Sequence, residues 1–440
     1  MSQRPIPQWL VVWGCASLLV ISFLALVALW PRPRLENDRR WRPVPGGRVI
    51  AGPLLQGLCG VIGLALFAVT IVSGYSAPGV ALGNWASTFI LITCWVGLAF
   101  GSIVFGDVFR AFNPWRTLGR LLPSQNRPYP ERLGRWPATA GLLGFMWVAL
   151  VSGWGGHPAR LVSAALFYAL AMLVAQAHWG VDTWGRRGDA FAVYFNLFSR
   201  LSLWETRAGR LGVRPPLTAL PKLDRAPGTV GFVVVMIGSV TFARLGQGPW
   251  WRSLSTGFGR LTAHLGCGRH AAGLIIATLG LGIAVALIRL VYRLGIDGVR
   301  SVGGRFSSRR LEDAFIHTLV PIAVALVAAH SLTALLFEGQ AIDRLASDPF
   351  GRGWDLFGTA ASGIDHGMFS GHAIWCLQVA ILVAGQLAAV TLAHDRALAL
   401  YHSARLALRA QYWMLATTVG LTSLALWLLA HAASRGSLAG

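Results

Sequence analysis

Residues 314 to 337 read AFIHTLVPIAVALVAAHSLTALLF, 24 positions without one formal charge. A helix rises about 1.5 Å per residue and needs about 20 apolar residues to cross the hydrocarbon of a bilayer. The stretch is therefore a candidate membrane span, and the rest of the chain repeats its character. Further apolar runs fall at 9–30, 51–73, 86–105, 137–154, 161–180, 229–243, 271–292, 373–394 and 411–431, of which 229–243 is the weakest. The expected fold class is all-α, a polytopic transmembrane helical bundle of about ten spans (9–11) forming one integral-membrane domain over 1–440. Composition agrees: 55% of the residues are hydrophobic and only 12% charged, and the mean hydropathy is +0.57. Soluble domains carry about 25% charged residues.

Lysine and arginine number 38 against 17 acidic residues, a net of +21. In a soluble chain that excess would suggest nucleic acid. Here 29 of the 38 fall in five connections between apolar runs, at 31–50, 106–136, 181–228, 289–313 and 395–410. Cations in short connections set membrane orientation. The expectation is a multi-pass protein of the bacterial cytoplasmic (inner) membrane, with these connections inside, both termini outside, the lipid bilayer as partner and no nucleic acid. The first run follows Arg4 and exceeds the 7–15 apolar residues typical of a signal core, roughly stated, so it reads as an uncleaved anchor. Arg244, Arg252, Arg260 and Arg269 break the pattern on the outer side. Either 229–243 is not a span, or an amphipathic segment after it lies on the outer leaflet.

The 181–228 connection reads as a cytoplasmic loop with two parts. Its DAFAVYFNLFSRLSLW (189–204) suggests an interfacial or re-entrant helix, and its RPPLTALPKLDRAPG (214–228) an extended proline-rich linker. No phosphate-binding glycine loop, G-x-S-x-G elbow, H-E-x-x-H or calcium loop occurs, which disfavours soluble ATPases, α/β serine hydrolases and zincins. The five cysteines, Cys15, Cys59, Cys94, Cys267 and Cys376, show no C-x-x-C spacing. Those in apolar runs read as small hydrophobes.

Polar side chains at membrane depth are costly and point to function. His317 lies near the inner end of the 314–337 run, and His330 lies thirteen residues further on. The next run, AIWCLQVAILVAGQLAAVTLAHD (373–395), returns with Gln378, Gln386, His394 and Asp395. Antiparallel pairing puts His330 level with Gln378, and His317 level with His394 and Asp395. His178, in AQAHWGVD (175–182), joins the inner layer. A group of His178, His317 and His394 with Asp182, Asp313 or Asp395 nearby suits a divalent transition metal such as zinc or manganese, or haem through axial histidines. The acidic outer loop, 338–371, gathers Glu338, Asp343, Asp348, Asp355 and Asp365. His366 and His372 follow beside Asp365, with His264 and His270 in the preceding outer loop. A metal held by His330, His366 and His372 would activate a water, with His330 and Asp365 as the catalytic pair. Asn113-Pro114-Trp115-Arg116 reads as an interfacial anchor and Pro321 as a helix bend.

Seven segments carry a family resemblance: IPQWLVVWGCASLLVISFLALVALWPRPRLE (6–36), DVFRAFNPWRTLGR (107–120), YPERLGRWPATAGLL (129–143), GDAFAVYFNLFSRLS (188–202), PGTVGFVVVMIGSVTFARL (227–245), ASDPFGRGWDLFGTA (346–360) and IWCLQVAILVAGQLAAVTLAHDRALALY (374–401). Together they resemble a family of bacterial integral-membrane proteins known as fenitrothion hydrolases, over nearly the whole chain. The resemblance implies hydrolysis of a lipophilic organophosphorothioate ester. It also implies a shared histidine at 330 and a shared A-H-D at 393–395. Relatives carry histidine where this chain has Gln386, a poor ligand for a transition metal.

Three functional readings follow. One is a membrane hydrolase of organophosphate or phosphorothioate esters using a metal-activated water. Another is a permease or assembly protein passing a metal ion, haem or lipophilic compound along the His and Gln layers. The third is a structural subunit whose second membrane or periplasmic subunit does the chemistry.

Overall fold

The computed structural model describes residues 8–36, 40–76, 83–264, 266, 268–303, 306–401 and 403–436, and these are mostly helical. Arg4 and Cys267 lie outside the described residues. The principal helices are α1 (Gln8–Leu29), α2 (Pro53–Ser76), α3 (Trp85–Phe105), α4 (Trp136–Leu150), α5 (Pro158–Trp179) and α6 (Ala190–Ser199). They continue with α7 (Thr229–Leu245), α8 (Pro249–Ala263), α9 (Arg269–Ser301), α10 (Ser308–Phe337), α11 (Gly371–Leu400) and α12 (Ala404–Gly436). Among the described residues, six helices, those holding α2, α3, α5, α9, α10 and α11, are long and apolar enough to cross a membrane. A seventh span results if α7 and α8, which meet at 84°, count as one. Shorter apolar helices are Ser17–Leu29, within α1, and α4 and α6.

The uncharged stretch at 314–337 lies at the centre. Ala314 through Ala329 of α10 is buried without interruption, as suits a helix apolar on every side. Around it pack α7, α9, α11 and the middle of α3. Helix α7 is buried from Phe232 to Phe242 and also packs on α4, joining the two halves of the bundle. Outward faces differ sharply. On α9, Leu279, Ile283, Leu287, Leu290 and Leu294 are all exposed, a leucine-rich stripe that water would not tolerate and lipid would.

Helices α10 and α11 run antiparallel at close range. Gln378 Nε2 donates to the Ala329 carbonyl at 2.9 Å, while Gly385 faces Pro321 and Ala325. A Cβ at 385 would lie 2.8 Å from the Pro321 carbonyl oxygen and closer still to the Ala325 Cβ. The small residue is what lets the two backbones approach.

Three local expectations change. The chain is not wholly helical: β2 (Trp204–Arg207) and β3 (Arg210–Val213) form a hairpin to which β1 (Arg42–Pro43) adds in the order β1-β3-β2. Its two-residue turn holds Ala208 at φ 46° and Gly209 at φ 72°, the double positive φ that a twisted hairpin requires. Helix α6, expected as interfacial or re-entrant, is packed inside the protein. Tyr194, Phe195 and Phe198 are fully buried, and Tyr194 stacks on Trp95 with ring centroids 3.9 Å apart. Ala190, Val193, Leu197 and Ser199 are buried as well and no residue of the helix is exposed, so no face is left to lie in a headgroup layer. The proline-rich segment that follows is folded inward, with Thr218, Ala219 and Leu220 buried. After α7, the arginine-bearing loop contains α8, the separate helix expected as one of two alternatives.

Gly385→Val should lower thermal stability in detergent by about 1–3 kcal/mol, because it overpacks the α10–α11 contact. Gly282→Ala on α9, where a Cβ meets nothing within 4 Å, serves as the near-neutral comparison.

Candidate functional site

The residues singled out in the sequence do not converge. Among the described residues, no group of three or more His, Cys, Asp or Glu is placed to hold a metal ion. His394 has both ring nitrogens engaged: Nε2 donates to the Trp30 carbonyl at 2.9 Å, and Nδ1 lies 2.8 Å from the Gln411 amide oxygen. Neither nitrogen is left for zinc, manganese or haem iron. Asp395 is 2% exposed and accepts from Trp30 Nε1 at 3.0 Å and from the backbone N–H groups of Arg34 and Leu35. With Arg396, which pairs with Glu36 at 2.6 Å, the sequence His394-Asp395-Arg396 clasps the chain leaving α1. That duty explains the motif without a cofactor.

His317 is buried, and its Nε2 has no partner. Pro321 also lacks the N–H that would have bonded the His317 carbonyl. His330 is half-buried with Nδ1 unpartnered, while Arg244 reaches its carbonyl at 3.4 Å. Gln378, bonded to Ala329, sits at the depth of His330 as the antiparallel pairing predicts. Gln386 is buried with an unpartnered Oε1. His178 packs edge-on to Trp179 at the far end of α5. In the acidic loop, His366 is exposed against the Phe337 ring, and His372 is exposed beside Cys376.

The loop's acids serve its own backbone. Asp365 Oδ1 accepts from Gly367 N at 2.7 Å, Asp348 from Arg352 N and Gly353 N, and Asp355 from Ala360 N. Glu338 opens a single 3-10 turn after α10. Short acidic side chains in loops commonly cap turns in this way. The structure gives these carboxylates no common target.

The residues that do converge lie at the arginine-rich end. Asp189, with no exposed surface, is the N-cap of α6. Its Oδ1 accepts from Tyr168 Oη at 2.9 Å, Phe191 N at 3.0 Å and Ala192 N at 3.2 Å. Its Oδ2 accepts from Trp115 Nε1 at 2.6 Å and Asn113 Nδ2 at 3.1 Å. Burial pushes the Asp189 carboxyl above the usual range, against the opposing pull of these donors.

Two cavities meet at this cluster. A polar one of about 510 Å³ is lined by Asp107, Arg110, Asn113, Arg116, Asp189 and Arg200 among others. An apolar one of about 930 Å³ is lined by Val108, Phe109, Phe112, Trp115, Tyr168 and Phe191, and by helices α2 to α5. The two linings interleave along 107–116. Asp107, Arg110, Asn113 and Arg116, spaced by three, turn to the polar side, and the apolar residues between them turn to the other. The dividing wall is the set of groups that bond Asp189. On the apolar side, α3 is π-helical over Phe89–Gly97, and Phe89, Ile90, Thr93 and Cys94 of that stretch line the cleft. Such wide turns are common at functional sites.

Charge in the polar cavity is unevenly matched. Asp182 lies 3.2 Å from Arg116 and 3.6 Å from Arg110. Burial would raise the Asp182 carboxyl, but the Arg116, Arg110 and Arg120 guanidiniums bring it below the ordinary value. Asp224 lies between Arg135 and Arg187 at 3.9 and 3.6 Å. Burial, reinforced by Arg135 and Arg214, pushes the Arg200 guanidinium down to about 10. The three-residue polar spacing in DVFRAFNPWR was the available sequence signal for this site; Asp189 and Arg200 carried none.

Fold and site together define a mostly helical protein with six or seven apolar helices of membrane-crossing length and a polar cavity backed by an apolar one. No protein-family model, curated protein or solved structure matches the chain.

Asp189→Asn keeps the cap but turns an amide N–H toward donors that need an acceptor. The loss should be about 2–3 kcal/mol of thermal stability, and Tyr168→Phe, which removes one donor, should cost about 1. Equal melting temperatures for Asp189→Asn and the parent would contradict the role given to the carboxylate.

Proposed function

We propose that the chain is a ten-span protein of a bacterial inner membrane, both termini outward, that takes up a lipophilic compound in the cleft between α2, α3, α4 and α5. The supporting observation is the apolar cleft of about 930 Å³, lined almost wholly by carbon and separated from a charged cavity by one layer of side chains. Large apolar pockets with a few convergent polar groups are the usual form of small-molecule sites. The exposed leucines of α9 and the arginine bias of the connections support the membrane placement.

The test uses a fluorescent apolar probe and the full chain in detergent. Gly144 lines the cleft, and a Cβ there meets nothing within 4 Å, so Gly144→Trp fills the space without a backbone clash. Removing much of the cleft should weaken probe binding by about tenfold, the equivalent of 1.4 kcal/mol. Unchanged binding in a folded Gly144→Trp protein would contradict a ligand in the cleft.

A second reading takes up the family resemblance: hydrolysis of a fenitrothion-type phosphorothioate ester. The observation favouring it is Asp107, which lines the polar cavity while its neighbours Val108 and Phe109 line the apolar one. Burial pushes the Asp107 carboxyl up, against the pull of Asn196, Arg110 and Arg116. In this reading Asp107 takes a proton from the water that attacks phosphorus, and the aryl P–O bond breaks to release the nitrophenol. The proposed zinc or manganese ligands do not assemble among the described residues, so the step is assigned to the carboxylate. Asp107→Asn should reduce fenitrothion turnover by about 100-fold or more. The reaction needs the ionised carboxylate, so the rate should rise with pH through a midpoint above the ordinary 3.8. Turnover unaffected by Asp107→Asn removes this assignment.

A further inference from the structure

We propose that the arginine cavity binds a phosphate group, gripped by Arg200 with Arg116 and Arg135, and that its source is the headgroup of an anionic membrane amphiphile. Arg200 follows directly on α6. Its Nη1 donates to the Ala219 carbonyl at 2.7 Å and its Nε to Asn196 Oδ1 at 3.3 Å. These acceptors fix the guanidinium plane but are neutral, and the carboxylates that act on its charge, Glu205 and Asp107, do so beyond contact distance. Among the described residues no carboxylate lies within ion-pair distance of Arg200, and its Nη2 makes no hydrogen bond.

The other guanidiniums lack a full complement of counter-charge as well. Asp182 is shared between Arg116 and Arg110, and Asp224 between Arg135 and Arg187. Asp189, the carboxylate nearest the wall, is already bonded by five donors and faces no arginine in a salt bridge. Asp107 is held by Asn196 Nδ2 and the Arg110 backbone N–H. A desolvated guanidinium without a carboxylate is costly unless an anion completes it. The planar fork of arginine matches the oxygens of a phosphate two at a time. The oxyanion site stands on these arginines alone. Only the choice of a lipid over free phosphate rests on the membrane placement proposed above, since a bilayer brings phosphate headgroups to the level of the arginine-rich connections.

The experiment uses the full chain in phosphatidylcholine nanodiscs, titrated in one arm with phosphatidic acid and in another with inorganic phosphate, with the thermal midpoint as readout. The expected result is a saturable upward shift with phosphatidic acid. Arg200→Lys, which keeps the charge but loses the fork, should weaken it by about tenfold or more, since a charge-assisted hydrogen bond contributes about 1.5–3 kcal/mol. Arg186 also lines the cavity; it is exposed, and its side chain has no hydrogen bond or ion pair among the described residues. Arg186→Gln therefore tests the site without threatening the fold, and a smaller loss is expected. An equal response to inorganic phosphate keeps the oxyanion site and removes the lipid. A wild-type protein that responds saturably to neither probe overturns the proposal. So does a response that neither variant weakens.

Discussion

A carboxylate with no exposed surface must be met by donors on every lone pair it retains, and Asp189 imposes that condition on half the molecule. An unpaired ion at such a site costs several kcal/mol. Its five donors come from the 113–115 turn, from α5 and from the first turn of α6. Each of those segments is thereby fixed relative to the others before any apolar contact is considered. Dispersion and burial hold helices together but are poor at choosing one sliding register over another, particularly in lipid, where tails are as apolar as leucine. A hydrogen-bonded charge chooses, because a shift of one turn would leave the anion bare.

The same logic recurs at the other end of the chain order. His394 and Asp395 lie in the last two turns of α11, and both are buried. They are satisfied by Trp30, Arg34 and Leu35, so that α1 is tied to α11 by polar bonds as well as by packing. The imidazole that suggests a ligand and the aspartate that suggests a catalytic carboxylate are here a clasp. The contrast lies along α10 and α11, where His317, His330 and Gln386 each keep a buried polar atom without a partner. His317 has a hydrogen bond to the Ala314 backbone, and Gly385 sets how near the two helices come.

How much of this the sequence disclosed follows from the range of the forces involved. The long helices were legible because hydropathy is summed over twenty or more neighbouring residues, and the position of Gln378 beside His330 followed from chain reversal. The hairpin at 204–213 was missed because its alternation is only four residues long on each side and its turn is Ala-Gly rather than Asn-Gly. The burial of α6 was missed because aromatic residues suit an interface and an interior equally well. Its surroundings, Trp95, Phe145 and Phe109, come from elsewhere in the chain. Asp189 carried no signal because three of its donors are the side chains of Tyr168, Trp115 and Asn113, 21 to 76 positions away. Pairings at that separation leave no local trace.

The wall between the cavities connects these constraints. Trp115 and Tyr168 are amphipathic side chains, each with one polar atom and a large apolar body. By bonding Asp189 with the polar atom, each is compelled to present its ring to the opposite side. The carboxylate therefore specifies two surfaces at once, a charged one through its neighbours along 107–116 and an apolar one through the rings of its own donors. Replacing either aromatic residue by leucine would keep the apolar wall and unbalance the anion. Replacing Asp189 would free both rings to turn. A boundary between a charged space and an apolar one is ordinarily expensive to build inside a protein. Here a single desolvated charge holds it, because the groups needed to satisfy that charge are the ones that line the apolar side.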